Sequence, residues 1–195
     1  MQTYNPYFRK LVEGTLEEAA KNLLGAVFVT LDSSAQIVEV EAYGGQNDPG
    51  SHAYRRLTPR NSVMFGEPGR LYMYFTYGNH WMANVVCRPE GEPCALLIRA
   101  AIPLTGIDAV RQRRPHAKTE YDLLSGPGKF AQGLALNGTH YGTNLFDPGS
   151  PIHIEPGEMP SDILTTTRIG LAKGRGDDLF LRFLDQRNIA WCSKR

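Results

Sequence analysis

The sequence predicts an α+β fold of one domain over residues 1–195, with a curved antiparallel sheet flanked by helices. Two observations lead there. Runs rich in β-branched and aromatic residues follow one another through the first half, joined by Gly78-Asn79 and by RPEGEP (88–93), which are short enough for hairpins. Helical patterns stand before and after this block and do not alternate with it, so a parallel α/β sheet is not expected.

In chain order, GTLEEAAKNLLG (14–25) reads as a helix, with Thr15 and Glu18 at capping-box spacing and Gly25 as a left-handed stop. Strands are expected at 26–31, 36–43, 70–77, 81–87 and 94–101. TGIDAVRQRR (105–114) follows Pro103 and reads as helical. SGPGKFAQGLALNG (125–138) is read as a helix with Ser125 before Pro127, Phe130 and Leu134 on one face, and Asn137-Gly138 at its end. Strands return near 151–155, 163–169 and 179–184, and no internal repeat appears.

Composition narrows the class. An apolar fraction of 42% is that of a globular chain. No apolar run approaches the roughly 20 residues that span a bilayer, and the first residues carry charges and a proline where a signal peptide needs an apolar stretch. A cytoplasmic protein without membrane contact is expected, nucleoid-associated if prokaryotic. Cys87, Cys94 and Cys192 form no C-x-x-C pair and the five histidines no H-x-x-x-H pair, so no metal or other cofactor is expected. The net charge is only +1, yet arginines cluster at 55, 56, 60 and 70 and at 111, 113 and 114, away from Glu155 and Glu158. This suggests a polarised surface.

Strand alternation in IVEVEAY puts Val38, Val40 and Ala42 on one face and Ile37, Glu39, Glu41 and Tyr43 on the other. On pattern alone that second face reads as wet, with two solvated glutamates. In the next strand Leu71, Met73 and Phe75 face the core while Tyr72, Tyr74 and Thr76 point away. Those aromatics read either as cross-strand packing or as a stacking platform for a base. Arg99, inside the apolar run CALLIRAA, needs a carboxylate partner, and Glu41 from another strand is the natural candidate. The bond between them serves structure or catalysis equally well. The 50–69 loop is too long and polar for a turn, and SGPGK (125–129) resembles an anion-binding turn with Lys129 beside it.

Read in order, VEVEAY, SHAYRRLTPRNSVMF, PGRLYMYFTYGNHWMANVV, ALLIRAAIP and LLSGPGKFAQGLALN resemble the alkyladenine (3-methyladenine) DNA glycosylase family of mammalian type, from about residue 15 to the C-terminus. The resemblance implies a monofunctional, monomeric glycosylase of base excision repair with a hairpin that enters the DNA minor groove. It implies Glu41 as general base and Arg99 as holder of the attacking water. Tyr43 and Tyr74 would sandwich the flipped base, His52 its edge, and Asn84 would exclude normal guanine. Tyr77 would intercalate, with Asn79, His80, Arg60 and Lys129 also at the DNA. His80 and Asn79 depart from the family pattern, which has an aromatic and an apolar residue there. The implied partner is double-stranded DNA containing damaged purines, with no obligate protein partner.

The chemistry suits such residues. A duplex base must be rotated out to be reached, and a purine alkylated at N3 or N7 is cationic, so electron-rich rings favour it. Its charge also makes it a good leaving group, so one water and one base suffice. No lysine occupies the catalytic strands, so lyase activity is not expected. Two other readings fit the same residues: a non-catalytic nucleic-acid-binding module, and a small-molecule hydrolase or transferase.

Overall fold

The computed structural model describes residues 4–76 and 78–194. Asn5 caps the first helix, α1 (Pro6–Glu13), by accepting from the Tyr7 N–H at 2.9 Å. Phe8, Leu11 and Val12 form its buried stripe, and the sequence reading does not anticipate this helix. Helix α2 (Leu16–Leu23) carries the expected capping box between Thr15 and Glu18, and Gly25 follows with φ +83°.

Next come β1 (Val27–Val29), β2 (Ser34–Tyr43), β3 (Leu71–Thr76), β4 (His80–Cys87) and β5 (Cys94–Thr105). Helices α3 (Ile107–Arg113) and α4 (Pro127–Gly133) follow, then β6 (His153–Glu155), β7 (Ile163–Thr166) and β8 (Arg182–Asp185). All pairs are antiparallel, in the order β3-β4-β5-β2-β1-β6. Strand β8 joins beside β2 and carries β7. The expected α+β class holds, with the sheet curled as a half-barrel over the α1, α2 and α4 side chains.

Helix α4 is shorter than expected. It stops at Gly133, Ala135 turns left-handed at φ +57°, and Asn137 instead caps a 3-10 turn at Gly138–His140. The predicted strand over 163–169 likewise ends at Thr166, and the residues after it bring Arg168 to Asp48 and the Ile169 N–H to Glu41.

The alternation along β2 is broken. The ladder to β5 shifts on both sides of Glu39, so Val38 and Arg99 have no direct partner in it. Ile37 therefore joins Val40 and Ala42 in the main core, while Val38 packs with Ala100, Leu184 and Cys192. Glu39 and Glu41 are both fully buried, which corrects the expectation of solvated glutamates. The Arg182 side chain and Ser193 close over Glu39, and the Ile169 backbone over Glu41. Leu71 and Met73 lie in the core as expected, but Phe75 does not. It is exposed and packs on Trp81 at 5.1 Å in the outer hairpin.

Candidate active site

Residues directly opposed in antiparallel strands share a face. The registers Tyr72↔Asn84, Asn84↔Leu97, Leu97↔Glu41 and Glu41↔Arg182 therefore draw one row across the sheet. Above this row lies a cavity of about 330 Å³, lined by Tyr43, His52, Tyr72, Tyr74, Asn84 and Arg99, with Gly50, Pro127 and Ile169–Leu171 at its rim. Glu41 itself lies one layer deeper, behind Tyr43 and Arg99.

The Glu41 carboxylate accepts three hydrogen bonds. Oε2 takes the Tyr43 hydroxyl at 2.9 Å and Arg99 Nη1 at 3.1 Å, while Oε1 takes the Ile169 N–H at 2.7 Å. The bulge in β5 turns Arg99 onto both glutamates at once, with its Nε 3.0 Å from Glu39 Oε1. Glu39 is enclosed more completely: Arg182 Nε donates at 2.6 Å, the Ser193 hydroxyl at 2.8 Å and the Ser193 N–H at 2.5 Å. Burial alone would pull the Arg99 pKa down, but Glu41 and then Glu39 outweigh it and leave it above the ordinary value. Burial, and then the neighbouring Glu41 charge, hold the Tyr43 phenol well above its usual range. Tyr43 thus stays a neutral donor.

The opposite wall is aromatic. Tyr74 meets His52 edge-on at 4.5 Å and Tyr72 at 5.5 Å between ring centres. The buried Tyr72 hydroxyl lies 2.8 Å from His52 Nδ1, which fixes the imidazole plane. Desolvation, then Arg60, lower the His52 pKa. His52 is therefore neutral at pH 7. The Asn84 amide donates to the Tyr72 carbonyl at 3.0 Å, which fixes its side chain at the cavity wall.

Sequence reasoning missed the anchor beneath Tyr43. Arg168 stacks its guanidinium over the Tyr43 ring at 4.6 Å and reaches both Asp48 oxygens, at 2.5 and 2.7 Å. It also donates to the carbonyls of Ala42 and Gly176, and its side chain has no exposure. Burial acts to raise the Asp48 pKa, but Arg168 and the N–H groups of Gly44 and Gly50 hold it below the ordinary value. Because Ile169 is the next residue, one anchor fixes both the ring and the N–H that grips Glu41. Asp48 and Arg168 are 120 residues apart, and no local motif announces them.

The residues expected at the rim separate. Asn79 is exposed at the β3–β4 turn, while Tyr77 lies outside the described residues. His80 is exposed but leans on α4, so that a Cβ added at Gly128 would stand 2.8 Å from its Cγ. Arg60 lies over the Tyr74 ring at 5.3 Å. Lys129 is half-buried, 3.4 Å from Ser125 Oγ and 3.8 Å from Asp122. The arginine clusters also differ from one another. Arg111 is paired with Asp108 and Glu120, and Arg113 with Asp32, whereas Arg55 and Arg56 are exposed. Among the described residues, no three His, Cys, Asp or Glu side chains are grouped to hold a metal ion. No helix there is long and apolar enough to cross a membrane.

The family described as Methylpurine-DNA glycosylase (MPG) matches residues 10–189. The chain belongs to this family. It is thus a DNA glycosylase, an enzyme of base excision repair that acts on N-glycosyl bonds. Relatives agree along most of the chain. A protein of Burkholderia lata named "Putative 3-methyladenine DNA glycosylase" is 40% identical over 85% of this chain and 82% of its own. Proteins of the same name from Chlorobaculum parvum and Rhodopseudomonas palustris are each 44% identical. They cover 80% and 86% of this chain, and 77% and 82% of their own lengths.

Proposed function

We propose that this glycosylase flips a damaged purine, alkylated or deaminated, out of duplex DNA into the cavity and hydrolyses its bond to the sugar with a water activated by Glu41. The observation that carries the reading is the Glu41 carboxylate, buried and bonded to two residues, Tyr43 and Arg99, that line an aromatic cavity. A carboxylate so placed can take a proton from water as an oxocarbenium-like sugar forms, and Arg99 holds the water beside it. Tyr43 and Tyr74 stack on the base and favour a cationic one by cation–π attraction. Neutral His52 reads its edge, and Asn84 crowds the exocyclic amine of guanine. The whole site lies within one domain, working as a monomer in the cytoplasm with no obligate protein partner.

At the DNA, Tyr77 fills the gap left by the flipped nucleotide, next to Asn79 and with Arg60 near the phosphates. Tyr77→Ala should slow excision from duplex more than from single-stranded DNA, since a wedge matters only where a stack must be held open. Equal loss on both substrates would make Tyr77 a packing residue.

His80 supports the hairpin through α4. Gly128→Ala should displace His80 and weaken duplex binding several-fold, and His80→Ala, which removes the same support, should weaken it as well. No change in Gly128→Ala would show that this contact is dispensable.

Affinity for undamaged duplex should fall with added salt by roughly 0.9 logarithmic units per decade for each phosphate contact. Arg55, Arg56 and Arg60 are the contacts we assign first. Arg111 and Arg113 already hold acids, so their replacement should change the slope less. A flat salt response, measured by titrating labelled duplex, would remove DNA as the ligand of this face.

A further inference from the structure

We propose that Glu39, Arg182 and Ser193 are positioning residues that hold Arg99 and balance its charge, so that one guanidinium remains available to Glu41. The inference rests on Glu41 being the general base. None of the three lines the cavity. All are buried; Glu39 and Ser193 contact Arg99 directly, and Arg182 is bonded to Glu39.

The geometry is specific. Arg99 Nε points at Glu39 while Nη1 points at Glu41, so the guanidinium bridges two carboxylates. Left alone, that trio would carry one excess negative charge in a buried site, which is costly. Arg182 supplies the missing positive charge at 2.6 Å from Glu39 Oε1, and its Nη2 is tied to the Ser193 carbonyl at 3.1 Å. Ser193 closes the cluster through its N–H and hydroxyl on Glu39, and its oxygen lies 3.3 Å from Arg99 Nε. Two carboxylates and two guanidiniums then sum to zero. Glu39 is held by four donors, none of which lines the cavity except Arg99, whereas Glu41 is held by three, Tyr43, Arg99 and Ile169, which all line it. This asymmetry separates two glutamates that the strand pattern leaves equivalent.

The groups facing Glu41 from its surroundings are Tyr43 on its own strand, Arg99 on β5, Arg182 opposite it on β8, Glu39 and, farther off, Arg168 with Asp48. Charge changes in this set have predictable signs. Removing the negative charge in Glu39→Gln makes Glu41 harder to protonate, so the acidic limb of the single-turnover rate profile moves to lower pH. Removing the positive charge in Arg182→Met makes Glu41 easier to protonate, so the limb moves to higher pH. Each shift should be about one pH unit, the lower end for a close charge. Arg182→Lys keeps the charge and should leave the limb in place even if the rate falls.

The experiment measures base release across pH for the wild type and these variants, with Glu41→Gln as reference. Opposite shifts in Glu39→Gln and Arg182→Met, with none in Arg182→Lys, are the expected result. Lowered rates with an unmoved limb in Glu39→Gln and Arg182→Met would make the cluster merely structural and overturn the proposal. If Arg182→Met does not fold, Glu39→Gln and Arg182→Lys decide the matter by the same criterion. Wild-type turnover in Glu41→Gln would instead overturn the assignment of the base, a distinguishable outcome.

Discussion

Glu41→Gln should lower base excision by about 10²- to 10⁴-fold, the range for loss of a general base, while binding to lesion or abasic-site duplex stays within a few-fold of wild type. The amide keeps the shape of the carboxylate, and its single oxygen can still accept from Tyr43 and Arg99, but it gives up the bond from the Ile169 N–H and cannot take a proton from water. Binding should survive because the aromatic wall is held by its own contacts, the Tyr72 hydroxyl on His52 and the Tyr74 ring against both. Single-turnover kinetics with a binding titration check both halves. A non-catalytic binding module predicts no dependence on Glu41, and a small-molecule enzyme predicts no duplex affinity to retain.

Arg168→Met should have the largest effect on stability, about 3–5 kcal/mol, because it leaves the Asp48 carboxylate buried without its cation. It also removes the support under Tyr43, so excision should fall in whatever fraction still folds. The pH dependence follows in sign. The Asp48 pKa in the folded protein is lowered from the ordinary 3.8, so its contribution is complete above that value and is lost as pH falls through the folded value. The wild type should therefore lose part of its stability only below about pH 4, the unfolded aspartate range. Arg168→Met should lack most of that step. Urea unfolding at several pH values measures it, and an unfolding midpoint unchanged from wild type would show that the pair contributes nothing.

Much of the site is legible in the sequence because charge in an apolar strand demands a partner. Arg99 inside CALLIRAA called for a carboxylate, and Glu41 is bonded to it at 3.1 Å. The alternation of β3 likewise places Tyr72 and Tyr74 away from the core, where they wall the cavity. What failed was parity along β2. A bulged register moves Ile37 into the core and buries both glutamates, and nothing in IVEVEAY marks where the ladder slips. Contacts between distant segments were also invisible. Asp48 with Arg168 and Glu39 with Ser193 join ordinary polar residues more than 100 positions apart. Helix α4 shows the limit of local signals, since Asn137-Gly138 does mark a boundary, but that of the following 3-10 turn.

The central claim is that this chain releases a damaged purine from DNA by water attack under Glu41. The most direct test incubates duplexes carrying 3-methyladenine, 7-methylguanine, hypoxanthine or ethenoadenine with the wild type and with Glu41→Gln, and follows free base and strand integrity. The account predicts free purine from at least one duplex with the wild type, an intact strand that breaks only on heating in alkali, and almost no release with Glu41→Gln. Release by Glu41→Gln at the wild-type rate, or strand cleavage without alkali, would contradict it.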